Sequence, residues 1–382
     1  MIRLRIILYI STMTMTMSLT SCKNQELTNS INWHIAGELP PMLGQNKAPG
    51  LAGPVTGVSN NALLIAGGAN FPDSLPWMGG RKKYYSEGFV FIKNEADSLQ
   101  FITNFTLPDT IAYAAPVSTS YGIVIAGGEN KNGTTAKVYL AQWIADSVLF
   151  KPLANLPIPL ANAGITTTGN KVYLVGGENS DAASAGFYVL DISREGNQWQ
   201  PLPSYPHAVS HAVVTALESG DAGIYVMGGR KKNPNGISDI YNDAWRFDFK
   251  KQQWEPLASL PYTLCAGTGA AYGNNAIYLF GGDRGETFHN TEELIAAIRS
   301  ATDEVKKEEL TRAKNLLQES HPGFSHEILV YHPSDNSWSV AGQLPFDTPV
   351  TTTAIVWGNN VIIPSGEIRA GVRTAQILMG KR

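Results

Sequence analysis

Near its C-terminal end the chain reads VIIPSGEIRAGVRT, from Val361 to Thr374, and two residues there have types and spacing suited to chemistry. Glu367 directly follows an apolar run of the kind that makes a buried strand. Arg373 lies shortly after it, with Gly371 between them. A carboxyl held at the end of a rigid strand, where water is partly excluded, can act as a proton acceptor. Desolvation raises its pKa and a nearby guanidinium lowers it. The planar fork of an arginine grips a carboxylate through two parallel bonds, each worth about 1.5–3 kcal/mol when charge-assisted. An acid/base group beside an anion clamp points to proton transfer on a small acidic substrate. The same pair also suits a structural ion bridge, so its setting has to decide.

That setting is a repeat. Apolar strands ending in Gly-Gly occur as ALLIAGG, GIVIAGG, VYLVGG, IYVMGG and IYLFGG, closing at Gly68, Gly128, Gly177, Gly229 and Gly282; VIIPSG, ending at Gly366, is a sixth version. An aromatic followed at a fixed offset by proline alternates with them, as Trp33/Pro40, Phe101/Pro108, Phe150/Pro157, Trp199/Pro206, Trp254/Pro261 and Trp338/Pro345. Between Ala163 and Pro206 the unit reads as four antiparallel strands: GITTT, KVYLVGG, GFYVLD and the polar QWQPLPSYP. Four strands in a period of about 50 residues make one blade of a kelch-type β-propeller, so the expected fold is all-β with six blades. A β-sandwich would not need one aromatic and one proline at the same offset six times.

The sixth unit has its first three strands and then the chain ends. Its fourth is expected at the other end, in NWHIAGELP from Asn32, so that the N-terminal strand closes the ring and removes two unpaired edges. Two blades carry insertions. One follows Gly68 (NFPDSLPWMGGRKKYYSEG). The other lies at about 288–323, in the fifth Gly-Gly blade, where apolar residues at helical spacing predict one or two amphipathic helices, capped near Asn290 and ended by Pro322.

In a four-stranded meander the loop after strand two and the loop leaving strand four open on the same face. The residues after each Gly-Gly (Asn70, Glu129-Asn130, Glu178-Asn179, Arg230, Asp283-Arg284 and Glu367) should therefore gather with Tyr113, Asn162, His207, His211, Thr263 and Asp347. Arg284, Glu129, Glu178, Asn179 and His211 are the candidates there to bind a substrate beside Glu367 and Arg373. Hairpin turns such as Asn60-Asn61 and Gly169-Asn170 fall on the opposite face.

The first 22 residues stand apart from the fold. Arg3 and Arg5 precede an apolar, hydroxyl-rich run and then LTSC, with Cys22 placed as in a bacterial lipoprotein signal peptide. This predicts lipidation at Cys22, membrane attachment only through that anchor, and an exported protein of the periplasm, on the outer membrane. Residues 23–382 then form one propeller domain. Cys265 is the one thiol left, and its Ala/Gly-rich strand suggests a core residue. A net charge of −3 argues against nucleic-acid binding. His207 and His211 lack the helical setting of a metal pair, and the Gly-Gly pairs end strands without opening helices, so no metal or other cofactor is expected.

GEIRAGVRT, Gly366 to Thr374, resembles the GE-x3-G-x-RT stretch of the bacterial N-acetylneuraminate epimerases, the sialic-acid mutarotases. GLAGPVTGVSNNALLIAGGANF, from Gly50, is similar to another segment of that family, and RKKYYSEG to its insertion, through Lys82, Tyr84, Glu87 and Gly88. The blade order is that of a cyclically permuted branch: the segment from Gly282 to Thr374 follows the one from Gly50 to Gly88 instead of preceding it. The resemblance implies an exported six-bladed kelch propeller that interconverts the anomers of N-acetylneuraminic acid. Glu367 would be the proton acceptor, Arg373 would hold the sugar carboxylate, and Lys82 and Tyr84 would join the substrate-binding set. A non-catalytic, lipid-anchored kelch module binding glycans or proteins, or a mutarotase for another sugar, would fit the ring as well.

Overall fold

The structure, a computed structural model, describes residues 31–42, 46–273 and 275–382. Cys22 and the leader lie outside them. Six antiparallel sheets follow one another along the described chain, five of four strands and that of blade 1 of five, since Lys83–Tyr84 also pairs with its second strand. Blade 1 runs from Ala52–Ser59 to Leu99–Thr106, and blade 2 from Ala115–Thr119 to Ser147–Leu153. Blade 3 runs from Gly164–Thr168 to Gln200–Pro201, blade 4 from Val213–Leu217 to Gln253–Pro256, and blade 5 from Thr268–Tyr272 to Ser337–Gln343. The fourth strand of blade 3 is thus far shorter than its sequence pattern suggests. Blade 6 takes Ile355–Trp357, Asn360–Pro364 and Gln376–Lys381 from the C-terminal end, and Asn32–Glu38 pairs antiparallel with the last of these. The ring closes by strand exchange, as the missing fourth strand predicted.

The Gly-Gly signature has a steric cause. In blade 5 the Thr348 side chain blocks a Cβ on Gly281, at 2.4 Å; in blades 1 to 4 a carbonyl of the next blade comes so close that a Cβ on Gly127, for example, would sit 2.2 Å from the Leu160 oxygen. The second glycine then donates its N–H to that carbonyl, as from Gly128 to Leu160 at 2.7 Å. The sixth blade departs from the signature where it meets blade 1. Ser365 adopts the left-handed conformation there (φ 57°), and its hydroxyl bonds both Leu51 N and the Thr374 carbonyl. The recurrent outer tryptophan also joins blades. The indole N–H of Trp199, Trp254 and Trp338 each reaches a backbone carbonyl of the preceding blade, on Ala154, Pro203 and Ala258, at 2.8–2.9 Å.

A circle of main-chain bonds runs around the axis. Gly53 N donates to Thr351 O, Thr351 N to Ala266 O, Ala266 N to His211 O, His211 N to Asn162 O, Asn162 N to Tyr113 O, and Tyr113 N back to Gly53 O, at 2.7–3.0 Å. All six residues have φ between 51° and 60°. Beneath them a channel of about 130 Å³ is lined by the first strands.

The insertion of blade 5 forms two helices, α1 (Glu286–Ser300) and α2 (Glu304–Glu319). The start expected near Asn290 is corrected: α1 begins at Glu286, after Gly285 in the left-handed conformation, and Asn290 lies inside it. Asp283 Oδ1, accepting the Gly285 N–H at 2.8 Å, secures that entry in place of the Asn-x-x-Glu cap. Asp303 caps α2 through Lys306 N, and α2 stops three residues before Pro322.

Removal of residues up to 41 takes away the closing strand, with Ile31, Ala36 and Leu39 buried beside it. Ile31 and Leu39 at roughly 1.5–3 kcal/mol each, with Ala36 adding less than about 1 kcal/mol, and about 2–4 °C of Tm per kcal/mol in a domain of this size, predict a fall of about 6 °C or more. Differential scanning calorimetry checks this, and an unchanged Tm would show that the ring does not need its seam.

Candidate active site at the mouth of the ring

The residue after each Gly-Gly forms an antiparallel bridge with the residue just before a member of the main-chain circle: Ala112 with Glu129, Ala161 with Glu178, Ser210 with Arg230, Cys265 with Asp283, and Val350 with Glu367. The backbone thus places Glu129, Glu178, Arg230, Asp283 and Glu367 at equivalent points around one mouth. Tyr113, Asn162 and His211 stand inside them on the circle. Each of these three stands five residues after the recurrent proline, and the same count leads to Ala266. Thr263 and Asp347, expected here, lie off the circle. His207, also expected, is engaged outside it, pairing with Asp243 at 2.7 Å between the rings of Tyr205 and Tyr241.

Glu367 and Arg373 face each other across a short hairpin. Glu367 Oε2 lies 3.2 Å from Arg373 Nη2, and Oε1 accepts the Gly371 N–H at 2.8 Å. Burial raises the Glu367 pKa above the usual glutamate value, while Arg373, the Gly371 N–H and Lys82 oppose the shift. The side chain of Arg373 is 4% exposed and its guanidinium stacks on Phe71 at 4.7 Å. Its Nε and Nη1 are buried and make no hydrogen bond among the described residues. An unsatisfied buried guanidinium edge is costly and calls for an anionic partner. Tyr113, whose phenol is pushed up by burial and by Glu367, borders the pair.

Lys82 and Tyr84, from the blade 1 insertion, complete this side. Lys82 Nζ is 3.2 Å from Glu129 Oε1 and 5.1 Å from the centre of the Tyr113 ring, and the Tyr84 hydroxyl donates to Glu129 Oε1 at 2.7 Å. The structure therefore brings Glu367, Arg373, Lys82, Tyr84 and Glu129 together around Tyr113.

A second cluster occupies blades 3 and 4. Glu178 accepts from Arg230 Nη2 at 3.2 Å, Asn162 Nδ2 at 3.1 Å and the Ser210 hydroxyl at 2.8 Å. Arg230 Nε donates to His211 Nδ1 at 3.2 Å, which leaves the imidazole proton on Nε2. Burial, with Arg230 beside it, pushes the His211 pKa down to about 3, so the ring is neutral at physiological pH. Burial works to raise the Glu178 pKa, but Arg230 and the hydrogen bonds from Ser210 and Asn162 prevail and lower it.

Two candidates are turned to other tasks. Arg284 stacks on Tyr262 at 3.8 Å and pairs with Glu327 at 2.8 Å, apart from both clusters. Asn179 accepts the N–H groups of Asp181 and Ala182 and so shapes its own loop. Arg230, Asn162 and Tyr113 were legible as members of this face, but their types alone assigned them no role.

Both insertions lean over the mouth. Pro76 and Trp77 pack on Gly371, where an added Cβ would lie 2.8 Å from Pro76 Cδ. Phe288 of α1 covers the Arg230 guanidinium at 5.1 Å, and Glu292 and His289 of α1 bind the Ser238 loop of blade 4. The covered mouth is polar, charged and partly dry, as small-molecule sites are. Among the described residues no three His, Cys, Asp or Glu side chains are grouped to hold a metal ion.

A family model described as N-acetylneuraminate epimerase matches residues 153–381, more than half of the chain. The chain belongs to the N-acetylneuraminate epimerase family. It is similar to the N-acetylneuraminate epimerases of Haemophilus influenzae (strain PittEE), 32% identical over 163 residues, and of Yersinia pestis (strain Pestoides F), 29% identical over 161 residues. These alignments span 42% and 41% of this chain, and 42% and 40% of the length of those curated relatives. The solved structure of YjhT superposes with a TM-score of 0.60 at 16% identity, covering 88% of this chain and 95% of that one, which supports the propeller fold.

The buried neutral His211 predicts a pH signature. Its pKa is about 3 when folded and about 6.5 when unfolded, so its contribution is fully present above pH 6.5 and is lost as pH falls towards 3. Between pH 6 and 4 wild-type stability should fall about 1.4 kcal/mol per pH unit more steeply than that of His211→Gln. Urea titrations at several pH values measure this, and equal slopes would show that His211 is charged.

Proposed function

We propose that the covered mouth is the active site of a mutarotase that interconverts the anomers of N-acetylneuraminic acid or a closely related 2-keto acid sugar. The observation that carries the reading is Arg373: Glu367 holds its Nη2, while its Nε and Nη1 are buried donors with no hydrogen bond among the described residues. The two donors point to different sides of the guanidinium, so a sugar carboxylate set against either side would satisfy one of them and share Nη2 with Glu367. It would also bring the adjacent anomeric hydroxyl towards Glu367, on the neighbouring end of the same hairpin. Glu367, carrying the reverse pull of burial and of Arg373, suits a base that accepts a proton and returns it. The ring then opens to the keto form and recloses on its other face.

Lys82 and Tyr84 hold Glu129 at the side of the mouth and offer further polar contacts to a hydroxylated substrate. The partial length of the alignments is consistent with a rotated blade order. The LTSC motif supports an exported, lipid-anchored protein acting in the periplasm. With Cys22→Ser, the protein should move from the membrane to the soluble fraction; retention at the membrane would remove the anchor from this account.

Proton NMR of freshly released α-N-acetylneuraminic acid tests the activity. Wild type should accelerate anomerisation, and Glu367→Gln should lose about 10²–10⁴-fold in kcat, the usual worth of general acid–base help. Arg373→Lys should raise KM by about 10–100-fold, because an ammonium cannot reproduce the bidentate grip. Rates equal to buffer for wild type on this sugar and on a panel of acidic and neutral sugars would leave a binding module instead.

A further inference from the structure

Anomer exchange takes one proton from the anomeric hydroxyl and delivers one to the ring oxygen, and the hairpin of blade 6 supplies only one carboxyl. We propose that Asp283 is the general acid that works opposite Glu367 and protonates the ring oxygen of the sugar. The inference rests on the mutarotase reading above and adds a second catalytic residue to it.

The argument begins with position. Asp283 and Glu367 occupy the same point of adjacent blades, each bridged to the residue before a member of the main-chain circle, through Cys265 and Val350. The bond from Thr351 N to Ala266 O, at 3.0 Å, ties those two circle members directly together. Two carboxyls are thereby fixed side by side on the rim, close enough that Asp283 adds to the rise in the Glu367 pKa.

Their surroundings differ in a way that divides the work. Glu367 has a guanidinium at 3.2 Å and a backbone N–H at 2.8 Å, both of which favour its ionised form. Asp283 accepts one N–H, from Gly285 at 2.8 Å through Oδ1, and has no ion-pair partner among the described residues. The charged and titratable groups around it are Arg230 of blade 4, His289 of α1, His321 of the segment after α2 and the buried Cys265, besides Glu367 itself. His321 is held neutral by burial, its pKa lowered despite the aspartate nearby. Burial outweighs these neighbours and raises the Asp283 pKa. When two adjacent carboxyls compete for one proton, the one without a cation in contact keeps it.

The balance of the step closes. Glu367 removes the proton from the anomeric hydroxyl, whose oxygen becomes the carbonyl oxygen as the bond from the anomeric carbon to the ring oxygen breaks. That bonding pair goes to the ring oxygen, which takes the proton of Asp283. Rotation about the bond next to the new carbonyl exposes its other face. On reclosure the hydroxyl adds to the carbonyl carbon, its proton returns to Asp283, and the proton on Glu367 passes to the new anomeric oxygen. Nothing is consumed.

Asp283→Asn tests the assignment with little disturbance, since the amide keeps an oxygen for the Gly285 N–H. The anomerisation assay across pH, with melting temperatures for each protein, gives the readout. Expected is a loss of about 10²–10³-fold in kcat, a KM within about threefold of wild type, and disappearance of the high-pH fall in kcat that titration of the acid produces. Asp283→Glu, which restores a carboxyl, should recover part of the rate. Near wild-type kcat in a folded Asp283→Asn, with Glu367→Gln inactive, would overturn this proposal and leave the mutarotase reading standing. A loss of rate that keeps the high-pH limb would assign Asp283 a structural role and also overturn it. Wild type no faster than buffer would remove both.

Discussion

Six backbone hydrogen bonds around the axis, from Gly53 through Thr351, Ala266, His211, Asn162 and Tyr113 and back to Gly53, set the geometry of everything above them. Each joins the inner end of one blade to the next, and each requires a residue in the left-handed region, where a non-glycine side chain costs about 1 kcal/mol. A blade cannot tilt or slide without breaking two of these bonds. The rim residues bridged to the circle inherit that rigidity, so Glu129, Glu178, Arg230, Asp283 and Glu367 point from fixed stations although they begin loops.

Rigidity alone does not set the charges of the mouth; exclusion of water does. The blade 1 insertion brings Pro76 and Trp77 against Gly371, and the helical insertion of blade 5 sets Phe288 over Arg230. Under this cover a guanidinium at 4% exposure lies next to a carboxylate, and an imidazole stays neutral in contact with an arginine. These charges cancel in groups: Glu367 with Arg373, Glu129 with Lys82, Glu178 with Arg230. Asp283 is the rim carboxylate left outside that pairing.

The sequence disclosed the ring and its closure because both rest on short-range sterics that repeat. A glycine is needed wherever a neighbouring carbonyl occupies the place of a Cβ, and an outer tryptophan recurs where its indole ties two blades. The exception at Ser365 was visible as VIIPSG, but not its cause, which is the hydroxyl's bonds to Leu51 of blade 1 and to Thr374 within its own blade. Parity located the face, and the spacing of Glu367 and Arg373 located its charged pair. The direction in which each polar side chain turns was not legible. Arg284 follows Asp283 directly, yet it is drawn outwards by Tyr262 and Glu327, which lie 22 residues before it and 43 after it. The start of α1 was misjudged for a similar reason: its entry is fixed by an aspartate of the rim, not by the Asn-x-x-Glu pattern within the helix.

The six members of the axial circle are a glycine, a tyrosine, an asparagine, a histidine, an alanine and a threonine. The bonds use only main-chain atoms, so apart from Gly53, where an added Cβ would lie 2.5 Å from Tyr113 N, they do not depend on which side chain a position displays. Such a ring behaves as a socket board: the fittings at the mouth can be exchanged one at a time, each for a small conformational cost, while the frame that aims them stays in place. A lineage could change what the mouth accepts by that route without ever passing through an unfolded intermediate sequence.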